Sequence, residues 1–435
     1  MKSLKKIIKS YCPEFILNFY NNYSFFKELH KKRLENKSIL SKTKKHYYEV
    51  QNVLIKKSNI IIRFASYVIY DSTFCGYGLM DLMLSQKNKY CPKIVIIPDI
   101  SRGEKHLIEQ YKKTKNFFIN KYGKEYVIDG YDLENNQFID VSNQFDIVYC
   151  ANPYDSIVNK VHSIQFLSQQ NLLPIYISYG CYVDKYGYNS VMPLLELSLF
   201  WKVFADNKIT YNDYKKYELL RGKNVVLSGY AKMDELNKYE YKISNKKTII
   251  LAPHHTINMD ILPLSNFLQY SDFILELPKK YPNINFIFRP HPLLFTNMIN
   301  YGYWTENDLS LYIKKLEKVG ITYSYGGDYL EIFSKSDAII HDCASFITEY
   351  LYTDKPCCFL AKNNYKKYLS KLGNACLKYY YIAFNKDQIF DFIDKVVIEN
   401  NDKLYKRRKD FSKKKITINY PNVSKKILDV ISIIK

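Results

Sequence analysis

The 435-residue chain contains no run of the roughly 18 apolar residues that a membrane-spanning helix requires. Its first 20 residues alternate Lys with apolar side chains but lack a continuous apolar stretch and a small-residue cleavage site, so a secretory signal is not expected. Gly and Pro number only 14 each, which excludes collagenous and low-complexity classes. The nine Cys are odd in number and none are spaced as CxxC, so a reduced, cytosolic protein without structural zinc is expected. GxxxxGK[ST] is absent and no GxGxxG follows the first strand pattern, which removes P-loop ATPases and dinucleotide dehydrogenases. Neither HExxH nor DxD occurs, and no metal ion is expected. His254 and His255 are neighbours, which predicts rings pointing apart rather than toward one ion.

Arginine is also scarce. Only seven of the 64 basic residues are Arg, against 43 acidic residues, and the formal net charge is +21. Much of the Lys excess fits a solvated surface, yet it is uneven. Residues 1–60 carry 14 basic and four acidic residues, and residues 402–415 carry eight and two. Two basic ends suit an anionic membrane face or a polyanionic substrate. Nucleic acid is not expected, because no RNP, zinc-finger or helix-turn-helix signature accompanies the charge.

What is present is alternation. Residues 1–50 read as basic helical segments carrying Phe15, Ile16, Phe19, Tyr20, Phe25, Phe26 and Leu29 near helical spacing, suited to packing on the fold or lying on a membrane. Short β-branched and aromatic runs then predict strands at 59–64, 93–97, 145–149, 174–178 and 225–228, with helices between them at 105–115 and 190–203. A second series follows the polar stretch 232–247: strands at 248–252, 284–289, 337–341 and 357–361, with helices at 309–319 and 345–352. Strand–helix alternation predicts an α/β chain of two Rossmann-like, doubly wound parallel-sheet domains. The expected divisions are a basic segment 1–50, a first domain 51–235, a second domain 236–385, and closing helices 386–435 broken near Pro421. Two such domains facing a central cleft is the GT-B arrangement, an analogy at the level of fold.

Ligands of open parallel sheets bind beyond the carboxyl ends of the strands. Three strand ends of the second series carry imidazoles: His254 and His255, then Arg289 and His291 between prolines, then His341 and Asp342. Four of the chain's eight His fall in these 88 residues. A guanidinium fork can hold two phosphate oxygens, and the turn Ala344–Ser345 begins a predicted helix whose free N–H groups suit pyrophosphate. Ser345 is a candidate either for capping that helix or for donating to phosphate. Glu349, one turn deeper, is placed to accept ribose hydroxyls.

Ser334 to Pro356 (SKSDAIIHDCASFITEYLYTDKP), together with Phe288 to Pro292, resembles the donor-binding half of the CDP-glycerol glycerophosphotransferase family, the teichoic-acid and capsule polymerases. Gly229-Tyr230-Ala231-Lys232-Met233-Asp234 resembles that family's Gly-Tyr-Pro-Lys/Arg-x-Asp, and Lys355-Pro356 its Lys-Pro. Ala344 stands where the family has the first Ser of a pair. Tyr179-Gly180 stands where its His-Gly supplies the catalytic base, so the base is sought among His254, His255, Asp71 and Asp155.

The resemblance implies a transferase that passes glycerophosphate, or a related polyol phosphate, from a CDP-linked donor to a hydroxyl of a capsule or teichoic-type polymer or lipid-linked acceptor, releasing CMP. In this reading Arg289, His291, Asp342, Ser345 and Glu349 bind the nucleotide, and His254, His255 and Asp155 are the catalytic candidates. No cofactor is needed, the donor being a substrate, and the location is the inner face of the cell membrane. Two alternatives stay open: a glycosyltransferase using a nucleotide-sugar, and a non-enzymatic scaffold that binds a polyanion.

Overall fold

The computed structural model describes residues 14–56, 61–240, 245–326 and 329–432. The β-branched and aromatic runs form parallel strands whose side chains are covered on both faces, as parallel sheets require. In the first sheet these are β1 (Ile62–Val68), β2 (Tyr90–Ile96), β3 (Val127–Asp129), β6 (Ile147–Cys150), β7 (Leu173–Ile177), β8 (Lys202–Ala205) and β9 (Val225–Leu227). A two-stranded hairpin of β4 (Tyr131–Asp132) and β5 (Gln137–Phe138) lies between β3 and β6. The sheet order is β3-β2-β1-β6-β7-β8-β9. The second sheet holds β10 (Lys247–Ala252), β11 (Ile284–Phe288), β12 (Ile321–Tyr323), β13 (Ala338–His341), β14 (Cys357–Leu360) and β15 (Tyr381–Ala383), in the order β12-β11-β10-β13-β14-β15. Both orders reverse direction beside the first strand of the unit, and that switch point is where such sheets receive ligands.

The expected pair of doubly wound sheets is therefore present, and one expected helix is not. Residues 190–203 were predicted helical from a dense apolar run. They form instead the end of the helix Lys185–Val191, the short helix Leu195–Leu199 and the start of β8. A fully buried strand has no alternation to separate it from a buried helix. The strand predicted at 59–64 runs over Ile62–Val68, in register with Tyr90–Ile96 of β2. Three-residue β3, β12 and β15 extend the sheets beyond the strands that were predicted.

Two helices, Glu14–Glu35 and Lys37–Lys56, precede the first sheet; residues 1–13 and the side chains of Phe15, Ile16, Phe19 and Tyr20 lie outside the described part. Leu29 is buried, Phe25 and Phe26 pack on Tyr217, and Arg33 donates to the carbonyls of Lys216 and Glu218. The helices thus pack on the first unit, while Leu34, Tyr48, Val53 and Ile55 stay exposed among lysines. In the second basic stretch, Arg408 is not a surface charge at all. It is fully buried, paired with Asp402 and donating to the carbonyl of Asp354.

The motif at residues 229–234 explains how the halves are held. Gly229 has φ +97°, and a Cβ there would lie 2.0 Å from the carbonyl oxygen of Ile418. Tyr230 donates to the carbonyl of Tyr179 (2.8 Å) and to Glu349 of the second unit (3.3 Å). Asp234 accepts the backbone N–H groups of Val423 and Ser424, capping the last helix, Val423–Ile431, which crosses back onto Tyr77–Leu84 of the first unit. One apolar cluster runs from Phe64 and Tyr149 through Tyr230 and Met233 to Ile250, Phe346, Tyr350 and Ile427. Replacing Gly229 with Ala should cost about 3 kcal/mol, because both the dihedral and the space refuse a side chain. Asp234→Ala should cost about 1–2 kcal/mol through the lost cap. Urea melts check both, and an unchanged midpoint for Gly229→Ala would contradict the close approach.

Candidate functional site

The second sheet's carboxyl edge gathers the predicted imidazoles because the strands stop where the loops turn. β10 ends at Ala252; the N–H of His254 then donates to Asp342 (2.6 Å), and the carbonyl of His255 accepts from Asn297 (3.0 Å). The N–H of His291 donates to the carbonyl of Pro253, tying the β11 loop to the β10 loop. Strand alternation no longer applies, so His254 and His255 do not diverge. Their ring centroids are 4.4 Å apart, and those of His255 and His291 are 4.1 Å apart. One ring nitrogen from each of the three lies within 4.8 Å of the others. The expectation that the adjacent pair could not share one ligand is overturned.

Hydrogen bonds decide which edge each ring presents. The backbone N–H of Leu293 donates to His291 Nδ1 at 3.2 Å. Asn297 Nδ2 donates to His255 Nδ1 at 3.2 Å, and its second proton goes to the His255 carbonyl, which sets the amide orientation. A neutral imidazole that accepts at Nδ1 carries its proton on Nε2. His255 and His291 therefore offer N–H donors rather than lone pairs. Metal-bound histidines show the reverse, donating from the second nitrogen to an acceptor. His255 and His291 suit an anion better than a cation. They are poor general bases, since a second proton would evict the donor already at Nδ1. His254 contacts Thr256 through Nδ1 (2.8 Å) and is buried.

Burial also keeps these rings neutral. It lowers His255 to about 4 and His291 to about 3, with the neighbouring ring adding to the effect on His291. His254 is pushed well below its ordinary value by burial and then by the other imidazoles. His341 falls to about 3 through burial; its Nδ1 donates to the carbonyl of Cys343, and its Nε2 has no partner among the described residues.

Other predicted site residues have different work. Arg289 is buried, and its Nη1 donates to Ser324 Oγ (3.0 Å) and to the carbonyl of Gly326, so one arm of the fork holds the loop after β12. Asp342 is fully buried and accepts from His254 N, Asn266 N and Asn266 Nδ2, so it sets the shape of the β10 loop. Ser345 does not cap the following turn with its side chain, and its hydroxyl sits 3.6 Å from Cys343 Sγ. Glu349 is buried, accepting from Tyr329 (2.6 Å) and Tyr230 (3.3 Å), so it joins the halves where a ribose contact was expected. Asp155 accepts backbone N–H groups of Ile164 and Gln165, one on each oxygen, and thereby positions the helix Ile164–Leu167. Tyr179, at the position of the resemblance's base, contacts Tyr154 at 3.2 Å, and burial raises its phenol far above its ordinary value. An open pocket of about 440 Å³ lies between the halves, with Lys185, Tyr186 and Asn189 on one side and Ile261, Lys367 and Tyr368 on the other.

The neutral imidazoles carry a pH signature. A histidine whose folded value lies below its unfolded 6.5 favours the unfolded chain on protonation. The contribution of His255, His291 and His341 is full above about pH 6.5 and is lost as pH falls toward 3–4. Each adds up to about 1.4 kcal/mol per pH unit in that window. Thermal unfolding between pH 7 and 5 should show a steep fall in Tm that His255→Gln and His291→Gln both flatten. Equal slopes in wild type and variants would contradict neutral, half-buried rings at 255 and 291.

No family model matches the chain, and no curated protein does. Solved structures do. A single-residue variant of the wall teichoic acid polymerase TagF superposes with a TM-score of 0.53 at 13% identity, covering 94% of this chain and 97% of that one. UDP-GlcNAc 2-epimerase from Neisseria meningitidis, bound to UDP-GlcNAc, gives 0.52 at 14% identity over 86% of this chain and 100% of its own. The epimerase from Methanocaldococcus jannaschii gives 0.52 at 12%, with 86% and 100% covered. The arrangement of two parallel sheets with flanking helices is GT-B-like.

Proposed function

We propose that the chain is a transferase that holds a nucleoside-diphosphate-linked donor on its second unit. In our reading it passes glycerophosphate or a related polyol phosphate from a CDP-linked donor to a hydroxyl of a bacterial surface polymer, releasing CMP. The observation that carries this is the convergence of His254, His255 and His291 at adjacent strand ends, two of them presenting N–H. Neutral donors preorganised in a partly dry edge stabilise phosphate charge without reorganising as it develops. The motifs resembling the CDP-glycerol family supply the donor, and the fold shared with TagF and the epimerases accords with a nucleotide in the cleft. The pocket lined by Lys185 and Lys367 suits a phosphate-bearing acceptor. Glycosyl transfer from a nucleotide-sugar is the second reading, since the imidazole cup grips the diphosphate and not what is attached to it.

The membrane part of the proposal rests on the exposed Leu34, Tyr48, Val53 and Ile55 beside Lys31, Lys42 and Lys45, since no described helix is long and apolar enough to cross a bilayer. Binding to phosphatidylglycerol vesicles but not to phosphatidylcholine, abolished by about 0.5 M salt, is expected; equal binding to both would remove the electrostatic argument. For the reaction, purified protein should be screened with CDP- and UDP-linked donors and the released nucleotide identified. CMP marks phosphoester transfer, and a nucleoside diphosphate marks glycosyl transfer. His255→Ala and His291→Ala should each weaken donor binding by tenfold to a hundredfold, since a hydrogen bond to a charged group is worth about 1.5–3 kcal/mol. A scaffold would release no nucleotide and would keep polyanion binding in both variants.

A further inference from the structure

His255 and His291 are poor bases and His254 is buried, whereas the first sheet's carboxyl edge contains a half-exposed group that can serve. Tyr70 follows β1, Asp99 follows β2, and His106 lies in the first turns of the helix Glu104–Tyr122. Tyr70 Oη contacts both Asp99 Oδ2 and His106 Nε2, the latter at 3.1 Å. Asp99 is buried, and its other oxygen accepts the N–H and the hydroxyl of Ser101. Asp99 carries no proton to share: burial opposes its ionised form, but the donors from Ser101 and Tyr70 outweigh that and hold it below its ordinary value. The single phenol proton therefore goes to Asp99, and the contact with His106 must be Nε2–H donating into the phenol oxygen. That leaves the lone pair on His106 Nδ1. The ring is half-exposed. His255 and His291 carry their proton on the same nitrogen, but there Nδ1 is engaged and Nε2–H is left over, whereas here Nε2–H is engaged and the Nδ1 lone pair is left over.

The position also fits. Hydrogen bonds that join the two carboxyl edges come from the ends of β7 and β9: Asp184 bridges Leu369, Ser370 donates to the carbonyl of Tyr182, and Tyr230 donates to Glu349. Among the described residues, Tyr70, Asp99 and His106 make no hydrogen bond to the second unit. All three stand just beyond the carboxyl ends of β1 and β2, beside the switch point of the first sheet. Other groups at that edge are engaged elsewhere: Asp155 with two backbone N–H groups, Tyr179 with Tyr154 and as a phenol held neutral by burial.

We propose that His106 is the base that takes the proton of the acceptor hydroxyl, with Tyr70 and Asp99 positioning it; this rests on the transferase reading above. In the step, the acceptor oxygen forms its bond to the transferred phosphorus (or sugar carbon) while its proton passes to His106 Nδ1. The bond from that atom to the departing nucleotide breaks, and the electron pair leaves with the nucleotide. The imidazolium is stabilised through Nε2–H to Tyr70 and from Tyr70 to Asp99, then returns its proton to water.

The test compares nucleotide release with nucleotide binding. In wild type, release of CMP or nucleoside diphosphate from the identified donor should depend on acceptor. His106→Gln should slow release at saturating substrates about a hundredfold or more, while CMP and UDP bind by calorimetry as in wild type. In His106→Gly, added imidazole should restore part of the rate, which a structural role would not permit. Tyr70→Phe should give a smaller loss and displace the acidic limb of the pH–rate profile. The charged and titratable neighbours in that profile are Asp99 and Arg102 on the β2 loop, Asp71 after β1, and Glu104 and Lys105 on the helix of His106 itself. Full rate in His106→Gln, or a loss that appears in Asp71→Asn instead, overturns the assignment while leaving the transferase reading in place. If wild type releases no nucleotide from any donor, the transferase reading fails and the base falls with it.

Discussion

The arrangement of this protein depends on a few hydrogen bonds between Asp234 and the start of the final helix. Two parallel sheets made from separate stretches of chain have no reason to face each other unless something crosses between them. Here the chain leaves the first unit at residues 229–234 and returns at Val423, and both passages meet at one point. The glycine at 229 lets the outgoing segment touch the returning turn at Ile418. Tyr230 then reaches Glu349, so the same short motif ties the carboxyl edge of the first sheet to that of the second. A motif that looks like a binding signature in sequence acts as a joint in structure.

Legibility in the sequence followed the physics of each element. Strands ended by His or Arg next to Pro were placed well, because a turn imposed by Pro is local information. The run 190–203 was misread because burial on both faces erases periodicity, and three-residue edge strands carry too little pattern to register. The gathering of imidazoles at the second-unit strand ends is legible in the sequence, but the partners of the other side chains there are not. Whether Asp342 or Glu349 faces a ligand or locks a loop depends on partners such as Asn266 and Tyr329, 76 and 20 residues away in sequence. The orientation of the His254–His255 pair was lost for a similar reason: alternation is a property of strands, and the pair lies just past one. His106 was passed over because it sits within a helix and its signal, a phenol shared with Asp99, exists only in three dimensions.

The electrostatic design separates long-range attraction from local grip. A net charge of +21 attracts anions to the whole molecule, whereas the imidazole cluster itself is made of uncharged rings. Neutral donors discriminate among anions by geometry and are little affected by salt, which is the selectivity the proposed donor site would have. The proposed base extends this division with one tautomer turned two ways: His255 and His291 present Nε2–H, and His106 presents the Nδ1 lone pair.

The shared apolar cluster has a mechanical consequence. Because one continuous core joins Phe64 and Tyr149 to Ile250 and Ile427 across the cleft, wide opening like a clamshell would expose oily surface to water on every cycle. Access to the cleft is then a matter for its loops and not for a hinge. For the same reason neither half would make a self-sufficient fragment: a protease cut between the sheets would leave two pieces each wetting half of a common interior, and the molecule melts as a unit or not at all.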